Sequence, residues 1–145
     1  MEQKKFEHSG PAETQEKVHR IDLYVAGENI GHADLEYSSN PFPFYYFSLV
    51  FIDKKARGKH YGKNILEEVN SFLDARGRPG ILFNAIDADD PGRTMYEKSG
   101  WRQIEGKINW FGYNLPQDLD TGRLEKAIYS IEKTQRKRYK TFSHG

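Results

Sequence analysis

Nine successive residues, Phe44 to Ile52, are aromatic or aliphatic at every position except Ser48. A run of that length and composition reads as a central strand buried on both faces, so it must sit inside a covered sheet. Downstream, Ile65, Leu66, Val69, Phe72 and Leu73 form one apolar stripe at helical spacing, which predicts a helix over about 61–76. Gly77-Arg78-Pro79-Gly80 stops it, and Ile81 to Ile86 reads as a second short apolar strand. Strand, helix and strand make a crossover unit, expected to be right-handed with its strands parallel.

The flanking segments extend the sheet. Ile21, Leu23 and Val25 alternate with Asp22, Tyr24 and Ala26 in a half-buried strand starting near Val18. Gly27-Glu28-Asn29 turns the chain, and Ile30, Ala33, Leu35 and Tyr37 return it as a hairpin. Arg93–Ser99 reads as a short helix closed by Gly100, with two more strands in Trp101–Ile104 and Ile108–Leu115. Leu124, Ala127, Ile128 and Ile131 define an amphipathic helix. Three segments are therefore expected: a polar stretch over 1–17, read as a mobile leader or a short edge element; a core over 18–116; and a C-terminal helix with a basic tail over 117–145.

Bulk properties exclude several classes of function. With 22 basic against 21 acidic residues the net charge is +1, so no strong overall attraction to nucleic acid or an acidic membrane is expected. No cysteine is present, which removes disulfides, thiolate metal sites and a cysteine nucleophile. The five histidines include no i, i+4 pair, so no metal site is expected. No apolar run approaches the ~20 residues of a membrane span, and the first residues lack the apolar segment of a signal peptide, so a cytoplasmic location is expected.

Chemistry concentrates between the buried strand and its helix. Arg57-Gly58-Lys59-His60-Tyr61-Gly62-Lys63 feeds a helix start, where unpaired backbone N–H groups and the helix dipole together hold phosphate. The apolar strand, then Arg57-Gly58-Lys59-His60-Tyr61-Gly62, then a helix, resembles motif A of the GNAT N-acetyltransferase superfamily. That resemblance implies an α/β fold with a mixed sheet and a V-shaped splay. It assigns Arg57, Gly58, Lys59, His60, Tyr61, Gly62 and Lys63 to the pyrophosphate of acetyl-CoA, and the backbone of Phe51 and Ile52 to its pantetheine and acetyl carbonyl. His60 replaces the motif's usual first glycine.

A second match follows: Asp89-Asp90-Pro91-Gly92-Arg93-Thr94-Met95-Tyr96-Glu97-Lys98-Ser99-Gly100-Trp101 resembles the family's N-x-x-A-x-x-L-Y-E-K-x-G-F. It implies cofactor contacts at Asp89 and Arg93, with Asp89 replacing the usual Asn and Gly92 the usual Ala. Tyr96 becomes the proton donor to the departing CoA sulfur, since a phenol is protonated at neutral pH. Glu36, Asp53 and Asp87 are candidate bases, Glu36 and Asp87 foremost. The implied reaction moves acetyl from acetyl-CoA to a primary amine on a small molecule or protein, with a homodimer possible in principle.

A full family member carries a first strand and two helices before the hairpin. Residues 1–17 are too few for two helices, so an N-terminally reduced domain with an open acceptor site is expected, unless the C-terminal helix fills the gap. Two other readings stand beside this one. One is a catalytically silent CoA-binding or partner-binding module, suggested by His60, Asp89 and Gly92. The other is nucleic-acid association through Arg136, Lys137, Arg138 and Lys140, with Tyr139 and Phe142 to stack.

Overall fold

Alternation in Ile21, Leu23 and Val25 builds β2 (Val18–Val25), whose inward side chains are buried and whose outward ones are half-exposed. In the computed structural model, which describes residues 3–15, 17–84 and 91–143 (side chains excepted at 49, 91, 92 and 135–143), β2 pairs antiparallel with β3 (Glu28–Ser38). The turn is Ala26-Gly27, with φ of 51° and 81°, one residue earlier than the sequence predicts. Two-residue hairpin loops favour positive φ because that twist matches the flanking strands.

Residues 4–9 form an edge strand, β1 (Lys4–Ser9), paired antiparallel with β2 from Lys4↔Val25 to Ser9↔Arg20. This replaces the mobile-leader reading of 1–17 with its alternative, an edge element. Phe6 packs on the core, and the Tyr45 hydroxyl donates to Ala12 O at 2.6 Å, pinning the connection to β2. Burial raises the Tyr45 phenol to about 12, which keeps it a neutral donor. No helix lies between β1 and β2 among the described residues, so the N-terminal reduction concerns the helices and not the first strand.

The buried run forms β4 (Phe44–Ile52), antiparallel to β3 and parallel to β5 (Gly80–Phe83). Between them runs α1 (Tyr61–Arg76), closed by Gly77 in the left-handed conformation. Then come α2 (Pro91–Lys98), β6 (Arg102–Gln103), β7 (Trp110–Tyr113) and α3 (Thr121–Ser143), so the helix extends through the segment expected as tail. The seven described strands form one mixed sheet in the order β1-β2-β3-β4-β5-β7-β6.

Register between β3 and β4 slips by one residue. Asp34 faces Leu49 and Leu35 faces Phe47, which leaves Ser48 as the extra residue of a bulge. Tyr45 and Phe47 before the bulge, and Val50 and Ile52 after it, all pack on the α1 side of the sheet. The strand thus changes which parity of residue faces α1. The expectation of burial on both faces holds only for Phe44–Phe47: beyond the bulge, Phe51 is 45% exposed.

On the α1 side, Ile65, Leu66, Val69, Phe72 and Leu73 bury against β2 to β5. The other side holds a second core, where Ala127, Ile128 and Ile131 of α3 cover Phe42, Phe44, Tyr46, Ile81, Ile104 and Trp110. The two isoleucines contribute roughly 3–6 kcal/mol of apolar burial between them, an upper figure because denatured chains are partly compact. Thus the chain's own α3 covers the β4–β5–β7 part of this face.

Candidate active site

β4 and β5 pair only at Tyr45↔Gly80, Tyr46↔Ile81 and Phe47↔Leu82. Past Phe47 they part, β4 continuing to Ile52 while β5 stays with β7 through Phe83↔Trp110. This is the V-shaped splay. Asp53 N–H donates to Ile30 O at 2.8 Å, so strand alternation points the N–H groups of Ile52 and Val50 away from β3 and into the gap. The same alternation turns the Phe51 N–H toward β3, and the Phe51 ring stacks on His32 at 5.5 Å on the other face. Of the two backbone positions predicted from sequence, Ile52 faces the gap and Phe51 does not. Val50 joins it because of the bulge, which residue types alone do not announce.

The loop after β4 begins with a short 3₁₀ turn, Lys54–Ala56, whose Asp53 carboxylate accepts from Lys55 N–H at 3.1 Å. Asp53 is thereby occupied in turning the chain. Lys55 reaches Glu28 at 2.7 Å, and that hydrogen bond raises its ammonium above the ordinary lysine range. Arg57 Nε donates to Ile52 O at 3.2 Å, holding the loop against the strand end. His60 caps α1 from the left-handed region, φ 65° and ψ 18°, with no side-chain capping bond. Histidine is among the side chains enriched in that conformation, so the loop keeps a glycine-like course at a cost of about 1–2 kcal/mol.

The first bond inside α1 runs from Asn64 N–H to His60 O, so the N–H groups of residues 60–63 precede it and cluster at the positive end of the helix. They border a cleft of about 540 Å³, a size that suits a cofactor. Ile52, Arg57, Gly58, His60, Tyr61, Gly62 and Lys63 line one wall, and Thr94, Met95, Lys98 and Ser99 of the α2 region line the other. Its charged lining is cationic among the described residues: Arg57, Lys63 and Lys98. Lys59 is exposed beside the cleft and is not part of its lining.

Residues of α2 divide by face. Tyr96 lies edge-on to Phe47 at 6.5 Å, beside the residue where the strands part, and 6.4 Å from Phe111. Arg93, expected in the cofactor site, instead turns to Glu97 and Gln103 and covers the Phe111 ring, and it does not line the cleft. Glu97 lies one turn on in α2, whereas Gln103 of β6 and Phe111 of β7 meet the guanidinium only in the folded domain. Lys98 was missed, although its place one turn from Met95 and Thr94 puts it on that side of the helix. Glu36 is buried on β3 opposite Tyr46, on the α3 side of the sheet. Asp87 and Asp89 lie outside the described residues. No group of three or more potential metal ligands occurs among the described residues, and no described helix is long and apolar enough to cross a membrane.

Residues 3–112 match the family profile described as "Acetyltransferase (GNAT) domain". The chain belongs to the GNAT acetyltransferase family. Solved GNAT structures share its fold at low identity. A GNAT family acetyltransferase from Elizabethkingia anophelis with acetyl-CoA bound superposes with a TM-score of 0.56 at 12% identity, over 68% of this chain and 76% of that one. IAA acetyltransferase from Bacillus cereus gives 0.56 at 13% identity, over 68% and 78%. PaiA N-acetyltransferase from Thermoplasma acidophilum, in complex with coenzyme A, gives 0.50 at 17%, over 64% of this chain and 57% of its own. This GNAT domain thus matches less than two-thirds of that structure's length. No curated protein sequence matches it.

Proposed function

We propose that this GNAT domain transfers an acetyl group from acetyl-CoA to a primary amine by direct attack. The observation that carries this is the cleft itself: a cationic helix start opens beside a parallel pair that parts at Phe47. The pyrophosphate of acetyl-CoA belongs at the N–H cluster of residues 60–63, with Arg57 and Lys63 adding charge. Its pantetheine arm would run along the Val50 and Ile52 amides into the splay. Two of the solved structures named above contain acetyl-CoA or coenzyme A, and the cofactor is carried over here as a reading.

In that geometry a neutral amine nitrogen attacks the thioester carbonyl carbon, and a backbone N–H of β4 holds the developing oxyanion. The tetrahedral centre collapses with cleavage of the carbon–sulfur bond. Tyr96 gives its hydroxyl proton to the departing sulfur, and the ammonium proton leaves through water to a carboxylate, for which Glu36 and Asp87 are the candidates. The tyrosinate recovers its proton from solvent. His60 keeping the glycine-like loop course favours this reading over a silent module. The acceptor includes proteins and other macromolecules as well as small amines, because part of the sheet face away from α1 is open.

Calorimetric titration with acetyl-CoA, followed by a mass-spectrometric screen of amine classes, tests it. Binding with amine-dependent release of CoA is expected. Absence of binding would sink the cofactor reading, and binding without acetylation of any amine would leave a silent module.

A further inference from the structure

The cleft between α1 and α2 is read to hold acetyl-CoA, which leaves the opposite face of the splay for the acceptor. There α3 covers Phe44, Tyr46, Ile81 and Trp110 and leaves two large rings open, Phe51 at 45% and Phe83 at 44% exposure. They stand on the two strands that part. Phe83 follows Leu82, the last β5 residue paired with β4, and leans on Trp110 at 4.9 Å. Phe51 lies on β4 four residues past Phe47, on the order of 10 Å farther out. Each exposes apolar surface that a sheet position of this kind ordinarily buries, and together they flank the way to the reacting carbon.

Asp22 on this face accepts from the Asn29 side-chain amide at 3.1 Å. Asp34 takes both oxygens to Arg20, at 2.7 and 2.9 Å, and Glu36 is buried. An apolar arm would find two exposed rings here. We propose that this face is the acceptor port and that it selects primary amines borne on an apolar arm, with Phe83 as the specificity-determining contact nearest the reaction. A phenylalkyl or linear alkyl arm fits along Phe83 toward Phe51, and the aromatic faces also tolerate the ammonium before it loses its proton. This inference rests on the acetyl-transfer reading above.

The test compares phenethylamine, hexylamine and spermidine as acceptors for wild type and Phe83→Ala. Wild type should favour the two apolar amines by at least tenfold in kcat/KM. Phe83→Ala should raise their KM at least fivefold, with kcat and the acetyl-CoA Kd unchanged and spermidine turnover unaffected. Phe83→Leu, which restores apolar bulk, should recover most of the loss for hexylamine. If wild type uses spermidine as well as hexylamine, or Phe83→Ala moves kcat alone, the port assignment is overturned while acetyl transfer stands. If wild type binds no acetyl-CoA, both fall together.

Discussion

A methyl group placed on Gly62 would meet the Met95 sulfur at 3.8 Å, ordinary contact across the cleft between the start of α1 and α2. Alanine should therefore be tolerated there. Gly62→Glu should not: its carboxylate would enter a cationic cleft at the place where the pyrophosphate is read to bind, so acetyl-CoA binding should be abolished in a folded protein. Calorimetry on both variants checks this. Equal affinity in Gly62→Glu and wild type would remove the loop assignment.

Tyr96→Phe keeps the ring between Phe47 and Phe111 and removes only the hydroxyl. Turnover should fall at least tenfold with little change in acetyl-CoA affinity. Unchanged turnover, under conditions where chemistry limits the rate, would reduce Tyr96 to packing.

His60 holds the left-handed cap with φ 65°. Relief of about 1–2 kcal/mol of strain, less the roughly 0.5–1 kcal/mol of added unfolded-state entropy, makes His60→Gly stabilising by roughly 0.5–1 kcal/mol. His60→Ile places a β-branched residue where it is a genuine outlier and should destabilise the protein and weaken acetyl-CoA binding. Urea midpoints with matched slopes decide it, and a destabilised His60→Gly would contradict the strain argument.

His19 joins β1 to the body of the domain. Its Nδ1–H donates to Gly10 O at 3.2 Å, its Nε2 accepts from His8 Nδ1 at 2.9 Å, and its ring stacks on Phe72 at 4.4 Å. Burial holds its imidazole below the ordinary 6.5, partly opposed by the Gly10 bond, with His8 and Arg76 adding repulsion of the cation. Below pH 6.5 the unfolded chain therefore binds more protons at this site than the folded one. Its contribution is complete above 6.5 and is lost as pH falls toward the depressed folded value. Melting temperature should decline from pH 7 to 5 more steeply in wild type than in His19→Gln. Parallel declines would show that His19 is not the group responsible.

Periodicity made much of this fold legible. The α1 stripe and the Phe44–Ile52 run bury large apolar side chains, and burial leaves a pattern in the residues. β1 leaves none, since five of its six residues are exposed and only Phe6 among them is an apolar residue packed on the core. The Ser48 bulge is invisible for a related reason: a single serine in an apolar strand carries no mark of register, yet it decides that Val50 and Ile52 share a face with Phe47. Near the site, the place of residues 57–63 between β4 and the start of α1 could be read because helix-start signals are local. Arg93 could not, because Gln103 and Phe111 reach it only through the tertiary fold.

α3 follows all seven described strands, yet Ala127, Ile128 and Ile131 cover the β4–β5–β7 part of one sheet face. During synthesis at roughly 5–20 residues per second, the ring-rich patch of Phe42, Phe44, Tyr46 and Trp110 therefore waits on the order of seconds, bare, for its cover. The domain is finished by its last helix like a box by its lid, and nascent chains halted before Leu124 should recruit holdase chaperones that chains carried past Ile131 release. Equal chaperone occupancy at both lengths would mean the sheet shields that side by other means.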